Sequence, residues 1–119
     1  MDLIENLNWR YATKQFDSSK KICQTDLEQL KESIRLSASS YGLQLYKVLI
    51  VENNKIREQL KPASYAQGQI TDASHLFIFC NYINTNDSHI DEYLQLKADT
   101  QGLKMDDLKG YGDFIKGSL

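Results

Sequence analysis

Two short apolar runs set the strongest constraint on the fold. Tyr46-Lys47-Val48-Leu49-Ile50-Val51-Glu52 and Leu76-Phe77-Ile78-Phe79-Cys80-Asn81-Tyr82 are rich in β-branched and aromatic residues and are of strand length. Both are nearly continuous, without the strict alternation of a strand that has one wet face, so both read as strands buried on both sides. Strands of that kind belong to sheets of several strands. Two of them make a sheet that looks unfinished.

The rest of the chain reads as helices and loops around these strands. Leu3, Ile4 and Leu7 share one face of a short helix running to Asn8-Trp9, with Trp9 read as a packing residue. Arg10 to Phe16 has no helical apolar period and is read as extended or loop. Thr25-Asp26-Leu27-Glu28 fits a capping box, and Leu27, Leu30 and Ile34 follow at helical spacing, which predicts a helix from about Asp26 to Leu36. Ser37 to Gly42 ends it. Asn53-Asn54 can cap a short helix from Lys55 to Leu60 closed by Pro62, after which the chain is irregular or weakly helical to Ile70. Asp72-Ala73-Ser74 is read as capping or positioning the second strand. Ser88 can cap a helix carrying Ile90, Tyr93, Leu94 and Lys97 and ending near Gly102. Met105 to Leu108 begins another short helical stretch, and Gly110, Gly112 and Gly117 are read as loop positions. Phe77, Phe79 and Tyr82 are expected in the core. The order of elements predicts a layered α/β or α+β domain.

At 119 residues the chain is sized for one domain. Its apolar fraction of 41% and charged fraction of 25% are those of ordinary soluble proteins, which argues against disorder and against a membrane span. A net charge of -2 offers no global field for nucleic acid or anionic lipid, so any bound anion must be held locally. Cys23 and Cys80 are far apart in the sequence with no CxxC partner, and His75 and His89 complete no zinc pattern, so no metal site is expected. Cys80 lies in an apolar strand, where burial suppresses thiol reactivity. The N-terminal residues lack the basic and long apolar stretches of an export signal, so the cytoplasm is the expected compartment and both thiols are expected free.

Three segments in order carry a resemblance: Arg10-Tyr11-Ala12-Thr13-Lys14-Gln15-Phe16-Asp17, Ser37-Ala38-Ser39-Ser40-Tyr41-Gly42-Leu43-Gln44-Leu45-Tyr46, and Gln67-Gly68-Gln69-Ile70-Thr71-Asp72-Ala73-Ser74-His75. Together they resemble the nitroreductase family of flavin mononucleotide (FMN) oxidoreductases. The resemblance implies an α+β fold with a mixed β-sheet flanked by helices, an intertwined homodimer, and FMN held at the dimer interface. Against that family pattern, residues 1–119 read as the N-terminal portion of a single domain, lacking the C-terminal part of the fold.

The same resemblance assigns candidate cofactor contacts. Arg10 is the implied ligand of the FMN phosphate, a role suited to a guanidinium fork. Lys14 is implied at the edge of the flavin ring where negative charge gathers on reduction. Tyr11 and Ala12 lie between them. The family commonly has a hydroxyl residue where Ala12 stands, so one side-chain contact is lost while a backbone donor remains. Ala38, Ser39 and Ser40 are implied to reach the flavin from the other subunit, largely through the backbone, with Gln44 close by. Leu45 stands where the family often has proline. Gln67 and Gln69 are implied at the pyrimidine edge, where several relatives carry an asparagine and a lysine, so Gln69 brings no charge.

The implied activity is oxidation of NADH or NADPH with reduction of nitroaromatics, quinones or similar small-molecule acceptors. It needs no catalytic acid, base, nucleophile or metal from the protein, and none is assigned. The competing reading is a truncated non-catalytic remnant, or an α/β module that depends on a partner chain.

Overall fold

The computed structural model describes residues 2–119. In chain order it comprises α1 (Leu3–Trp9), α2 (Gln24–Leu36), β1 (Tyr46–Val51), α3 (Asn54–Leu60), α4 (Gln69–Asp72), β2 (Leu76–Asn81), α5 (Asp87–Gln101) and α6 (Met105–Lys116). Short 3-10 turns occupy Ser40–Gly42 and Pro62–Ser64. β1 and β2 pair antiparallel in a two-stranded sheet, and the fold is α+β. Internal contacts divide the chain into two units. The first holds the chain up to Gln29 together with Leu49–Ile78, and the second holds Leu30–Val48 with Phe79–Leu119.

Both predicted strands form, but neither is buried on both faces. Lys47 and Leu49 of β1 and Phe79 and Asn81 of β2 are exposed, while their neighbours are half-buried. This is the alternation of a sheet with one open face. A run that is apolar at both parities needs cover on both sides, and two strands with these helices supply it on one. Phe79 is 61% exposed and Tyr82 40%, so neither is the core residue expected from the sequence.

The second unit has a conventional apolar core. Ile90, Leu94 and Ala98 recur every four residues along one face of α5, and they pack with Leu108 and Ile115 of α6. Tyr41, Leu43, Tyr93 and Tyr111 close around this cluster. Helix α5 is capped by Asn86 rather than Ser88. The Asn86 side chain accepts from the His89 N–H at 3.3 Å, the His89 ring accepts from the Asn86 N–H at 3.3 Å, and Ser88 donates to Asn86 Oδ1 at 2.6 Å. Asn86 stands three residues before the orphan donor it serves, the spacing a cap requires, and Ser88 is already inside the helix.

Helix α6 continues to Lys116, through Gly110 and Gly112, which the sequence suggested were loop residues. Packing explains the override. A Cβ on Gly112 would lie 2.6 Å from Leu94 Cδ1, so the absence of a side chain is what lets α6 sit against α5 at this point. A salt bridge of 2.6 Å between Lys116 Nζ and Asp91 Oδ1 also joins the two helices. The Asp91 carboxylate raises the Lys116 pKa above its ordinary value.

Polar bonds hold the first unit. Asp2 and Glu5 form a capping box that starts α1. Leu3, Ile4, Leu7 and Trp9 are all exposed, so the apolar face of α1 is largely open and Trp9 is not the packing residue expected from the sequence. Helix α2 starts at Gln24, earlier than the capping box at Thr25 predicts. The cap is Cys23, whose Sγ accepts from the Asp26 N–H at 3.5 Å, while Glu28 accepts from Gln24 Nε2 at 2.7 Å. Asn53 caps α3 as expected, accepting from the N–H groups of Lys55 and Ile56. The fully buried side chain of this unit is Arg57 of α3, at 0% exposure.

The two helical glycines of α6 separate packing from propensity. Gly112→Ala is expected to lower unfolding stability by about 1–3 kcal/mol through overpacking against Leu94. Gly110→Ala, where a Cβ meets nothing within 4 Å, should raise it by about 0.5–1 kcal/mol. Urea unfolding of both variants checks the pair, and equal effects would refute the close approach of α5 and α6.

Candidate functional site

Arg10 is the residue just past α1, where its backbone N–H donates to Asn6 O at 3.0 Å and its φ of -65° and ψ of 134° turn the chain into an extended course. From Tyr11 to Asp17 the chain has no helix or strand, as the sequence predicts. Arg10, Tyr11, Ala12 and Lys14 are all exposed. Among the described residues, no carboxylate pairs with Arg10 or Lys14, and no internal hydrogen bond forms between Tyr11 and Phe16. Two cations and a row of backbone donors are thus open to an anionic ligand.

Gln67 and Gln69 belong to the same unit as Arg10 and Lys14. Gln67 is exposed, with its N–H donating to Ser64 O at 3.2 Å, and Gln69 is the half-buried first residue of α4. Neither side-chain amide makes a hydrogen bond within the described residues. The turn before them is tight, with Tyr65 and Ala66 both at a φ of 55°. No hydrogen bond joins this segment to Arg10 or Lys14 among the described residues.

Ala38, Ser39, Ser40 and Gln44 lie in the second unit. Ser39 precedes the 3-10 turn, and its Oγ accepts from the Gln44 N–H at 2.9 Å. Gln44 Nε2 donates to Arg35 O at 2.9 Å, so its amide closes the end of α2. Gln44 adopts a φ of 47° and Tyr41 a φ of 53°, the left-handed region that costs a non-glycine residue roughly 1–2 kcal/mol. Ala38 and Ser40 are exposed. Beside this loop a cleft of about 230 Å3 is lined by Leu43, Gln44, Tyr82, His89 and Tyr93 among others, with the rings of Tyr82 and His89 5.2 Å apart.

Sequence reasoning missed the polar framework under Gln67–Gln69. Arg57 Nε donates to Ile70 O at 2.6 Å, Nη1 to Ser74 O at 3.4 Å, and Nη2 to Ala73 O. Ser74 Oγ accepts from the Ile22 N–H at 2.9 Å and contacts His75 Nδ1 at 2.8 Å, while His75 Nε2 faces Glu52 Oε1 at 3.4 Å. This row of Ser, His and Glu links the chain before α2 to the entry of β2 and to the residue after β1. Ala73 and Ser74 are thereby fixed just before β2. Nothing in the spacing of a lone arginine on a short helix announces its burial.

The sequence profile of the nitroreductase family matches residues 7–108. This chain belongs to the nitroreductase family. A Staphylococcus haemolyticus protein provisionally named an NAD(P)H nitroreductase is 41% identical over 95 residues, which are 78% of this chain and 42% of the relative. One from Staphylococcus saprophyticus with the same provisional name is 42% identical over 77 residues, 64% of this chain and 35% of the relative. The fold of this nitroreductase-family chain matches a nitroreductase-like protein of Streptococcus mutans with a TM-score of 0.80 at 17% identity, over 98% of this chain and 58% of the other. It matches a provisionally named nitroreductase of Exiguobacterium sibiricum, solved in complex with FMN, with a TM-score of 0.72 at 21% identity, over 99% of this chain and 56% of that one. The chain therefore spans 42% and 35% of the length of these two curated relatives. Its fold is nitroreductase-like. Among the described residues no helix is long and apolar enough to cross a membrane.

The Ser39 bond gives a local test of the loop. Ser39→Ala should cost about 0.5–1.5 kcal/mol in urea unfolding, since the Gln44 N–H loses its acceptor. Ser40→Ala, with no side-chain bond to lose, should change it by less than about 0.5 kcal/mol.

Proposed function

We propose that this chain forms part of the cofactor site of an FMN-dependent oxidoreductase, which takes electrons from NADH or NADPH and reduces nitroaromatics, quinones or similar acceptors. The observation that carries this reading is the exposed, extended Arg10–Lys14 segment, with both cations unpaired, in a chain of this family. The donor set suits FMN: a guanidinium for a terminal phosphate, an ammonium, free amides and open backbone N–H groups.

On this reading Arg10 holds the phosphate. Lys14 sits at the pyrimidine edge of the ring system and favours its reduced, more negative form. Backbone donors at Tyr11 and Ala12 and the amides of Gln67 and Gln69 fix the ring's orientation. Ala38, Ser39 and Ser40 reach the cofactor from a second subunit, with Gln44 shaping their loop. Bound FMN supplies the hydride chemistry, and the protein's part is orientation and electrostatics.

The protein would act as a homodimer in the cytoplasm, with residues 1–119 as the N-terminal portion of one domain. A second reading, a partner-dependent module without redox activity, draws support from the exposed apolar face of α1 and from the share of its relatives that the chain spans.

Titrating FMN into the 119-residue chain while following flavin fluorescence tests the first reading. Saturable quenching is expected, weakened about tenfold or more in Arg10→Ala and in Lys14→Ala, as loss of a charge-assisted phosphate or ring contact implies. A folded sample that binds no FMN would favour the second reading. Because Gln69 brings no charge, Gln69→Lys should raise the midpoint potential of the bound flavin, and a potentiometric titration showing no rise would refute its place at the pyrimidine edge.

A further inference from the structure

Arg57 carries a permanent charge and is 0% exposed, yet among the described residues no carboxylate pairs with it. Its three hydrogen bonds all go to backbone carbonyls, those of Ile70, Ala73 and Ser74. A buried charge is costly, and an apolar side chain of similar volume would fill the same space without that cost. The bonds point to what the guanidinium achieves instead. Helix α4 has only four residues, too few to persist alone, and its last internal bond runs from the Ala73 N–H to Gln69 O. Of the carbonyls beyond that bond, Arg57 gathers those of Ile70, Ala73 and Ser74.

The other end of the segment is also fixed. Tyr65 and Ala66 take consecutive left-handed conformations, which persist only where the surroundings over-determine them. The Ala66 N–H is tied to Lys61 O at 3.0 Å, and Thr71 Oγ1 donates to Gly68 O at 3.0 Å. Gln67 and Gln69 are therefore held from both sides while their own amides remain unbonded.

We propose that Arg57 is a positioning residue for the flavin site: by clamping the end of α4 to α3 it sets the orientation in which Gln67 and Gln69 present their amides. The inference rests on the FMN reading of those two residues, and Arg57 itself touches no ligand. A lysine keeps the charge but cannot span three carbonyls, so the fork and not the charge is what the position uses.

The test is a mutant cycle on FMN affinity in the 119-residue chain, with wild type, Arg57→Lys, the pair Gln67→Ala and Gln69→Ala, and all three changes together. Arg57→Lys is expected to raise the FMN dissociation constant roughly tenfold, and by less than about twofold when Gln67 and Gln69 are already alanine, because the effect passes through those two amides. Additive effects, or none, would overturn the proposal. Should the wild-type chain bind no FMN, the function above fails, and amide hydrogen exchange then decides the role of Arg57. Faster exchange confined to residues 67–75 in Arg57→Lys supports the clamp; unchanged exchange, or a rise throughout the unit, refutes it. Loss of the folded state in both Arg57→Lys and Arg57→Gln would make the residue a general support and overturn the proposal as well.

Discussion

A single buried guanidinium organises the half of this molecule that carries most of the candidate site. Arg57 lies in α3, and through the carbonyls of Ile70, Ala73 and Ser74 it fixes the end of α4 and the entry to β2. From there the order spreads along polar bonds. Ser74 accepts from the Ile22 N–H, so the chain leading into α2 is tied to the same place, and Lys21 Nζ reaches Ser74 O at 3.5 Å. His75 continues the line to Glu52, just past β1. Without the guanidinium the carbonyls of Ile70 and Ala73 would lose their side-chain donor, each costing on the order of 1–3 kcal/mol where no water replaces it, while Ser74 O would keep the Lys21 ammonium.

The two units thus rely on different physics. In the second, an apolar stripe on α5 meets one on α6, and the close approach at Gly112 and Leu94 shows how tightly side-chain volume is matched there. In the first, Leu27 is the buried apolar side chain, and hydrogen bonds to backbone carbonyls do much of the work. Apolar residues are plentiful but outward: Leu3, Ile4, Leu7 and Trp9 on α1, Leu49 on β1, and Tyr65 at 93% exposure. Such surfaces are the ones a protein covers by association.

What could be read in advance followed from local rules. The strands near Tyr46 and Leu76, the Asn53 cap, the extended course after Trp9 and the stop of α5 at Gly102 all depend on neighbours in sequence, and all formed as expected. The misses share a cause. Thr25 and Ser88 have side chains suited to capping, but Cys23 and Asn86 hold the positions from which the orphan donors are reached. Gly110 and Gly112 disfavour a helix by propensity, and burial of Leu108 and Ile115 on the same helix outweighs that cost. In the candidate site, the irregular course that carries Arg10 and Lys14 was legible because Arg10 to Phe16 lacks a helical apolar period. The engagement of Gln44 with Arg35 was not, because it depends on where α2 ends in space.

The sequence by itself determined the two strands and the helices α1, α2, α3 and α5, since these follow local residue patterns, but not α4 or the full extent of α6, and it carried the family resemblance that assigns the candidate cofactor groups. The tertiary structure alone decided which of those groups remain free. It bound the Gln44 amide to a helix end, left those of Gln67 and Gln69 unbonded, and buried Arg57 beneath them. Hydrogen bonds and burial are pairings between residues distant in the chain, such as Arg57 with Ile70 and Ser74, and no local pattern specifies them.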